Sequence, residues 1–364
     1  MERRAFLTTS LGVSAAALMS RPLHALGQRT AQGPRWRAFE VTTRAGVVDP
    51  KGPVRVWLPL PLTPDTDYLK NLGQSWSGNA KLVSVAREDK YGATMLVAEW
   101  EPGTAAPAVE VITRFATRDR AVDWSKPGDV GEDKRTLARY VEPTRLMPTD
   151  GIVARTARDI TRGQKTDVDK ARALYEWIVD NTLRDPKVRG CGRGDIRSML
   201  ETGNLGGKCA DLNALYVGLA RASGIPARDV YGIRTVKSEQ GFKCLGPATP
   251  TITKAQHCRA EVYLTAFGWV PVDPADVRKV ALEEPPGNLT LEDAAVKKAR
   301  ARLFGSWEMN WVAYNFGHDV SLPGAASGPL EFLMYPQAET ARGRVDSLDP
   351  DGFKYEITAR EIVA

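Results

Sequence analysis

The sequence predicts an α+β protein in which an N-terminal antiparallel β-sandwich precedes a domain of helices and an antiparallel sheet. Residues 37–125 contain short runs of alternating apolar and polar side chains, separated by glycine and proline. Residues 150–181 and 209–222 carry the three- and four-residue apolar spacing of helices. Residues 256–276 alternate again, as a β-hairpin does.

Length and composition are those of a globular protein of this fold class, and the charge distribution argues against nucleic-acid binding. The chain has 364 residues, enough for two domains, and it is 43% hydrophobic and 26% charged, as in ordinary globular proteins. The formal net charge is +6, but the basic residues are scattered along the chain. We therefore expect no nucleic-acid partner.

The first residues, "MERRAFLTTSLGVSAAALMS", have a charged start and a short apolar segment. They predict a signal peptide over residues 1–27, with a possible cleavage site at 25–27. Residues 3–7, "RRAFL", resemble a twin-arginine export signal, and an ordinary Sec signal is the alternative. No other segment has 18 consecutive apolar residues, so we expect a periplasmic or otherwise extracytoplasmic mature chain without a membrane-spanning segment.

The β region over residues 37–125 shows its alternation best at 54–60 and 109–115, and a further strand pair is predicted at 80–88 and 92–101. Its residues suggest no chemistry, so packing or recognition is the expected role. Residues 125–133, "SKPGDVGED", have the composition of a linker.

Two helices are predicted after that linker. One covers residues 150–163 and begins near Asp150. The other covers 166–181, where Thr166 followed by Asp169 resembles a capping box.

A third helix begins at or just before Cys209. Its apolar stripe has helical spacing and ends before "GIP" at residues 224–226; the stripe consists of Leu212, Leu215, Tyr216 and Leu219. Unpaired N–H groups and the helix dipole favour an anion at the first turn, and Lys208 adds a cation. These effects lower a thiol pKa, so Cys209 is a candidate nucleophile, with a buried structural cysteine as the alternative.

The base that such a nucleophile needs is best supplied by His257. The chain has only two other histidines, His24 in the predicted leader and His318. The alternation in 256–276 predicts a hairpin whose valines and Cys258 face the core, with His257 on the other face. If the turn centres on Thr265, His257 lies directly opposite Asp273.

These three residues have the chemistry of a catalytic triad. Cys209 would attack as a thiolate, His257 would move the proton, and Asp273 would orient the imidazole and stabilise its cation. The N–H of Cys209 at the helix start is a candidate oxyanion donor. No second donor can be identified from the sequence.

Three blocks of sequence carry a family resemblance. The order "GGKCADLNAL", "QHCRAEVYL" and "GWVPVDPAD" resembles the core of the bacterial transglutaminase-like superfamily. The resemblance covers about residues 145–285 and implies a papain-like cysteine protease fold, with a catalytic core over 140–285 and Cys209, His257 and Asp273 as its triad.

The sequence departs from the animal transglutaminases at two positions and lacks a calcium motif. Ala210 and Arg259 stand where those enzymes have tryptophan, which weakens the expectation of protein crosslinking. No calcium-loop motif and no C-x-x-C pair is present, so we expect neither metal nor cofactor.

The C-terminal region over residues 286–364 is predicted to be an extension packed on the core. It starts with a helix at 291–303 and ends with two strands, at 329–336 and 353–361. Between them lies a segment dense in aromatic residues, which is either a packed cluster or a wall of the substrate cleft; it contains Trp307, Trp311, Tyr314 and Phe316.

Trp307 and Trp311, together with Trp269 of the hairpin, are therefore candidates for the cleft. His318 and Asp319 are auxiliary candidates, although neighbours on a strand point in opposite directions and make a poor catalytic pair.

With Cys209 free to react, the other three cysteines allow at most one disulfide among themselves; they are Cys191, Cys244 and Cys258. The sequence thus predicts an exported cysteine-dependent hydrolase or acyltransferase that acts on peptide or isopeptide bonds of a peptide or protein substrate. A non-catalytic binding or scaffold protein on the same fold and a protein-crosslinking transglutaminase are the alternatives.

Overall fold

A computed structural model describes residues 35–363, so the predicted signal peptide lies outside the described residues. The strands are β1 Arg37–Val47, β2 Val54–Pro59, β3 Leu69–Gly78, β4 Leu82–Arg87, β5 Thr94–Trp100, β6 Ala108–Thr117, β7 Arg120–Ala121, β8 Leu183–Arg184, β9 Gly206–Gly207, β10 Ala227–Arg234, β11 Gln256–Leu264, β12 Gly268–Val272, β13 Ser306–Trp307, β14 Trp311–Asn315, β15 Gln337–Thr340, β16 Gly343–Val345 and β17 Phe353–Ile362. The helices are α1 Lys134–Arg139, α2 Gly151–Ile160, α3 Asp167–Asn181, α4 Ile196–Thr202, α5 Cys209–Ala222, α6 Pro274–Glu283 and α7 Ala294–Arg302, with a short 3₁₀ turn at Lys243–Leu245.

The predicted β-sandwich is present, and it consists of two antiparallel sheets. One sheet has the order β17-β1-β6-β3 and the other the order β16-β15-β2-β5-β4. Alternate side chains of both sheets share one apolar core, which includes Val56, Leu96, Val111 and Phe353. Strands β1 to β6 come from the predicted N-terminal segment, and the remaining three come from the C-terminus.

The C-terminal region differs from the expectation in two ways. Only its strand β14 joins the second sheet described below, while β15, β16 and β17 complete the sandwich. The strand predicted at 329–336 is wrong, because the regular strand begins at Gln337. Pro329 and Pro336 lack ladder donors, and Leu333 and Met334 are apolar because their side chains are buried in two cores.

The second sheet has the order β12-β11-β10-β14 and is covered on both faces. Helix α5 packs on one face against Cys258 and Val262. The other face packs against Trp307 and Trp311. All nine residues of β11 are therefore buried, although the sequence suggested that only one face of this hairpin lies in the core. Polar side chains on the second face consequently need partners inside the protein.

Gly232 allows this second face to pack closely beside the candidate base. It pairs with His257 across β10 and β11. A Cβ atom at Gly232 would lie 2.0 Å from the carbonyl oxygen of Val312 and 2.5 Å from the ring of Trp311. Only glycine therefore fits where the Trp311 ring crosses the strand.

Helix α3 starts as predicted, since the Thr166 hydroxyl accepts a 3.0 Å hydrogen bond from the N–H of Asp169. Asp150 also precedes its helix, but its side chain makes no cap bond. None of the helices within residues 35–363 has the length and apolar character needed to cross a bilayer.

Candidate active site

Cys209 is the first residue of α5, at the helix start predicted from the sequence. The turn before it is fixed by the Asp211 carboxylate, which accepts the N–H groups of Lys208, Arg193 and Gly194 at 2.9, 2.9 and 3.0 Å. The next N–H of the helix, that of Ala210, donates to the Cys191 carbonyl at 2.9 Å. The Cys209 thiol is thus held at a rigid helix N-terminus.

His257 and Asp273 are in contact, with 2.8 Å between Nε2 of the imidazole and Oδ2 of the carboxylate. The register behind this contact differs from the prediction. Ala260 pairs with Val272, so the hairpin centres on residue 266 and the position opposite Asp273 is Arg259. His257 and Asp273 are diagonal neighbours, a relation that long side chains can bridge.

Asp273 reaches His257 because it lies just beyond β12, as the N-cap of α6. Its Oδ1 accepts the Asp276 N–H at 3.1 Å. The same oxygen accepts the side-chain amide of Asn213 at 3.3 Å, and this amide also donates to the Cys258 carbonyl at 2.9 Å. Asp273 therefore ties the hairpin, α5 and α6 together, and its Oδ2 is left for the imidazole.

A second carboxylate, Asp276, lies 3.5 Å from the same imidazole nitrogen. Arg234 donates to both of its oxygens, at 2.6 and 2.8 Å. Arg259, one of the two departures from the animal enzymes, places Nε 3.7 Å from Asp273 Oδ2. Buried carboxylates and buried guanidinium groups thus alternate around His257.

This charge pattern shifts the pKa values in opposing directions. Burial and Arg234 lower the pKa of His257, but Asp276 and Asp273 outweigh them and the pKa is raised overall. Burial and Asp276 raise the pKa of Asp273, against His257. For Asp276, burial acts in the same sense but Arg234 holds the pKa well below its usual range.

The Cys209 thiol pKa is lowered well below its ordinary value. The neighbouring thiols of Cys191 and Cys258 lower the Cys209 pKa, burial opposes them, and the nearby His257 lowers this pKa further. The pKa of Cys191 is raised by the neighbouring Cys209 and by burial, and that of Cys258 is raised by burial. All four cysteines are free thiols.

Within residues 35–363, His257, Asp273 and Asp276 offer metal-ligand atoms that lie within 4.8 Å of one another. Their acceptor atoms already face the guanidinium of Arg234 or one another. This donor set therefore serves an ion-pair network.

The tryptophans proposed for the cleft do not line the cavity around Cys209. Trp307 and Trp311 are fully buried, and their indole N–H groups donate to the carbonyls of Val272 and His257 at 3.2 and 2.9 Å. The Arg228 guanidinium lies 3.9 Å from the centre of the Trp269 ring, and Trp269 does not line that cavity. Trp307 and Trp311 instead stabilise the backbone of the site, because their hydrogen bonds fix the carbonyl groups of Val272, next to Asp273, and of His257.

The two auxiliary candidates, His318 and Asp319, also lie apart from Cys209 and bind different partners. His318 Nε2 lies 3.0 Å from Asp229, while Asp319 accepts the Arg145 N–H at 2.9 Å. Neither side chain lines the cavity around Cys209.

Cys209 and His257 open into a cavity of about 330 Å³. Cys191, Lys208 and Gln256 also line it, and they continue into an adjoining cavity of about 430 Å³. The side-chain Nε2 of Gln256 is buried without a hydrogen-bond partner among the described residues. A larger cavity of about 640 Å³ lies on the sandwich and contains none of these groups.

Sequence reasoning missed four neighbours of the site, and two of them left a local signal. Asn213 follows Cys209 by four residues, on the same helix face, and Asp276 follows the cap Asp273 by three. Arg234 comes from another strand, and Gln256 directly precedes His257 in β11; neither has such a signal.

The chain is similar to known proteins in sequence and in fold. A model of the transglutaminase-like superfamily matches residues 154–274. An uncharacterized protein of Haemophilus influenzae is 35% identical over 343 residues, covering 89% of this chain and 91% of that protein. The chain belongs to the transglutaminase-like superfamily.

Solved structures show the same fold. A proposed cysteine protease from Cytophaga hutchinsonii superposes with a TM-score of 0.50 at 15% identity, covering 90% of this chain and 98% of that one. The periplasmic domain of TgpA from Pseudomonas aeruginosa has a TM-score of 0.36 at 16% identity, covering 67% and 88%. The fold of the Cytophaga hutchinsonii protein thus extends over most of this chain.

The shifted pKa values predict how the thiols react with iodoacetamide. Cys209 should be alkylated fastest of the four cysteines at about pH 6–7, because its thiolate persists as the pH falls. His257→Ala removes the imidazolium, so the midpoint of the rate–pH curve for Cys209 should move to higher pH. Mass spectrometry of digested protein locates the label, and Cys209→Ser is the control. Faster labelling of Cys191 or Cys244, or an unchanged midpoint, would contradict the assignment.

Proposed function

We propose that this protein is an exported cysteine-dependent enzyme that transfers the acyl group of a peptide or isopeptide bond through a thioester on Cys209. The single observation that carries the proposal is the meeting of three features in one cavity. Cys209 begins a helix, its thiol pKa is lowered, and His257 beside it is hydrogen-bonded to Asp273.

In the first step the Cys209 thiolate attacks the carbonyl carbon and forms a C–S bond. Nε2 of His257 faces Asp273, so Nδ1 is the nitrogen left to serve the sulfur and the leaving group. The imidazolium gives its proton to the amide nitrogen, the C–N bond breaks, and a free amine departs. Water or an amine then attacks the thioester, His257 takes its proton, and the thiolate leaves.

The negative charge on the carbonyl oxygen needs donors during both steps. The N–H of Cys209 at the helix start is the first, as the sequence suggested. We propose the Gln256 side chain as the second, because its Nε2 is a buried, unpartnered donor on the wall that carries Cys209 and His257.

Water and amines are both chemically suited to resolve the thioester. Protein crosslinking is the weaker version of amine transfer, since Ala210 and Arg259 replace the two tryptophans of the animal enzymes and Arg259 is committed to Asp273. A binding protein on the same fold would need no activated thiol, so the chemistry of Cys209 separates these functions.

Acyl transfer is tested with p-nitrophenyl acetate, which requires no knowledge of the natural substrate. We expect a burst of nitrophenol equal to the enzyme concentration and an acetyl group on Cys209 after acid quenching, with neither in Cys209→Ala. Asp273→Asn should slow acylation by up to about 10⁴-fold, because the imidazole loses its orientation and its counter-charge. Adding a primary amine and measuring acetamide against acetate then identifies the acceptor. Absence of both the burst and the acetyl group on Cys209 would contradict acyl transfer and favour the binding protein.

The oxyanion role of Gln256 has its own test. Gln256→Ala should lower the acylation rate by about 10²-fold, as loss of one oxyanion donor does elsewhere. Alkylation of Cys209 by iodoacetamide passes through no oxyanion, so its rate and pH dependence should stay unchanged. Equal losses in both reactions, or a lowered melting temperature of the variant, would instead indicate a structural role.

Export rests on the first residues of the sequence and is tested separately. Changing Arg3 and Arg4 together to lysine should leave the precursor in the cytoplasm, because a receptor reads the arginine pair as an address. Immunoblots of fractionated cells measure the distribution. Normal export of the double variant would identify a Sec signal.

A further inference from the structure

The cavities beside Cys209 are lined by cations and by no carboxylate. The whole chain contains 50 lysines and arginines and 44 aspartates and glutamates. The two adjoining cavities depart from this balance, because no aspartate or glutamate contributes to their walls, whereas six basic residues do; these are Arg184, Arg189, Lys208, Arg234, Lys254 and Lys279.

Some of these cations are neutralised by carboxylates that do not line the cavities. Glu283 contacts Arg184 and lies 3.6 Å from Lys279, and Asp276 neutralises Arg234. Five cations of the Cys209 cavity thus have two carboxylate partners, which leaves three positive charges. A thiolate, an imidazolium and the Asp273 carboxylate would remove only one of them.

Lys208 and Lys254 are the least compensated of these groups. Lys208 is half-buried and directly precedes Cys209, while Lys254 is exposed and lies two residues before Gln256. Neither forms an ion pair with an acidic residue within the described part of the chain, and both line both cavities. A lysine beside a thiol favours the thiolate, and the charge of these two lysines also extends into both cavities, where no carboxylate lines the wall. This charge points to an anionic ligand.

We infer that this cleft selects acidic peptides, in which residues next to the scissile amide carry free carboxylates. The inference rests on the proposed acyl transfer and names its substrate class. A cleft walled by one sign of charge concentrates ligands of the opposite sign and speeds their capture. Carboxylates next to the scissile bond would take the places opposite Lys208 and Lys254, which the protein leaves without a partner.

Matched alkylating reagents test the charge of the cleft without a known substrate. Iodoacetate and iodoacetamide react with the same thiolate, so the ratio of their rates is independent of the thiol pKa. For Cys209 we expect this ratio to exceed that of 2-mercaptoethanol by about tenfold and to fall as salt is added. The double variant Lys208→Gln/Lys254→Gln should lose at least about two-thirds of the excess.

Lys165→Gln is the matched control, because Lys165 is exposed and lies beyond the far end of α3. This 15-residue helix is about 22 Å long, and its other end adjoins β8 beside the Cys209 loop. The rate ratio of this variant should equal that of the unchanged protein. A ratio equal to that of 2-mercaptoethanol, or an equal fall in Lys165→Gln, would overturn the inference.

A comparison of acidic and neutral peptides as substrates then tests whether the anion that the cleft binds is a peptide carboxylate. Pairs that differ only by Glu against Gln, or Asp against Asn, beside each amide bond are incubated with the enzyme and analysed by mass spectrometry. The acidic member should be processed with about tenfold higher kcat/KM, and the difference should shrink in the double lysine variant. Equal processing, with a raised iodoacetate ratio, would overturn the acidic peptide in favour of another anion. Failure of Cys209 to react with either reagent would instead refute the proposed function.

Discussion

The hydrogen bond from the His257 imidazole to Asp273 is the contact on which both the site and its surrounding fold depend. Asp273 ends the hairpin, caps α6 and accepts the Asn213 amide of α5. One carboxylate therefore fixes the relative positions of a sheet, the helix that begins with Cys209, and a second helix. Because each oxygen has separate partners, the imidazole orientation cannot change without disturbing the junction of these three elements.

Burial of this carboxylate imposes a charge constraint on the rest of the site. A lone buried carboxylate would be protonated, and two of them beside one imidazole would repel each other. Arg234 and Arg259 resolve this, the first on Asp276 and the second beside Asp273. Arg259 lies over Trp311 at 4.8 Å, which lets the cation stay buried against an aromatic face. An arginine at this position is therefore part of the electrostatic balance around His257.

What could be predicted from the sequence was local. The helix start at Cys209 follows from a stripe within one segment, and the approach of His257 to Asp273 follows from one hairpin, although its register differed. Arg234 arrives from a strand distant in sequence, so no spacing reveals it. Gln256 directly precedes His257 in β11, but neither its residue type nor its spacing marks it as a neighbour of the site. The tryptophans were misplaced because aromatic density indicates apolar surroundings equally in a core and in a cleft wall.

The cations of the cleft act on more than one anion. In the proposed mechanism the same field would favour the Cys209 thiolate, the oxyanion formed from the substrate carbonyl, and any carboxylate next to the scissile bond. The same positive charge destabilises the protonated form of His257, because Arg234 lowers the pKa of this histidine. Asp276 and Asp273, which are buried away from the cavity wall, counteract this effect and raise the His257 pKa. Buried carboxylates and guanidinium groups thus surround the imidazole, while Lys208 and Lys254 line the cavity beside the sulfur, an arrangement that suits the proposed imidazolium–thiolate pair.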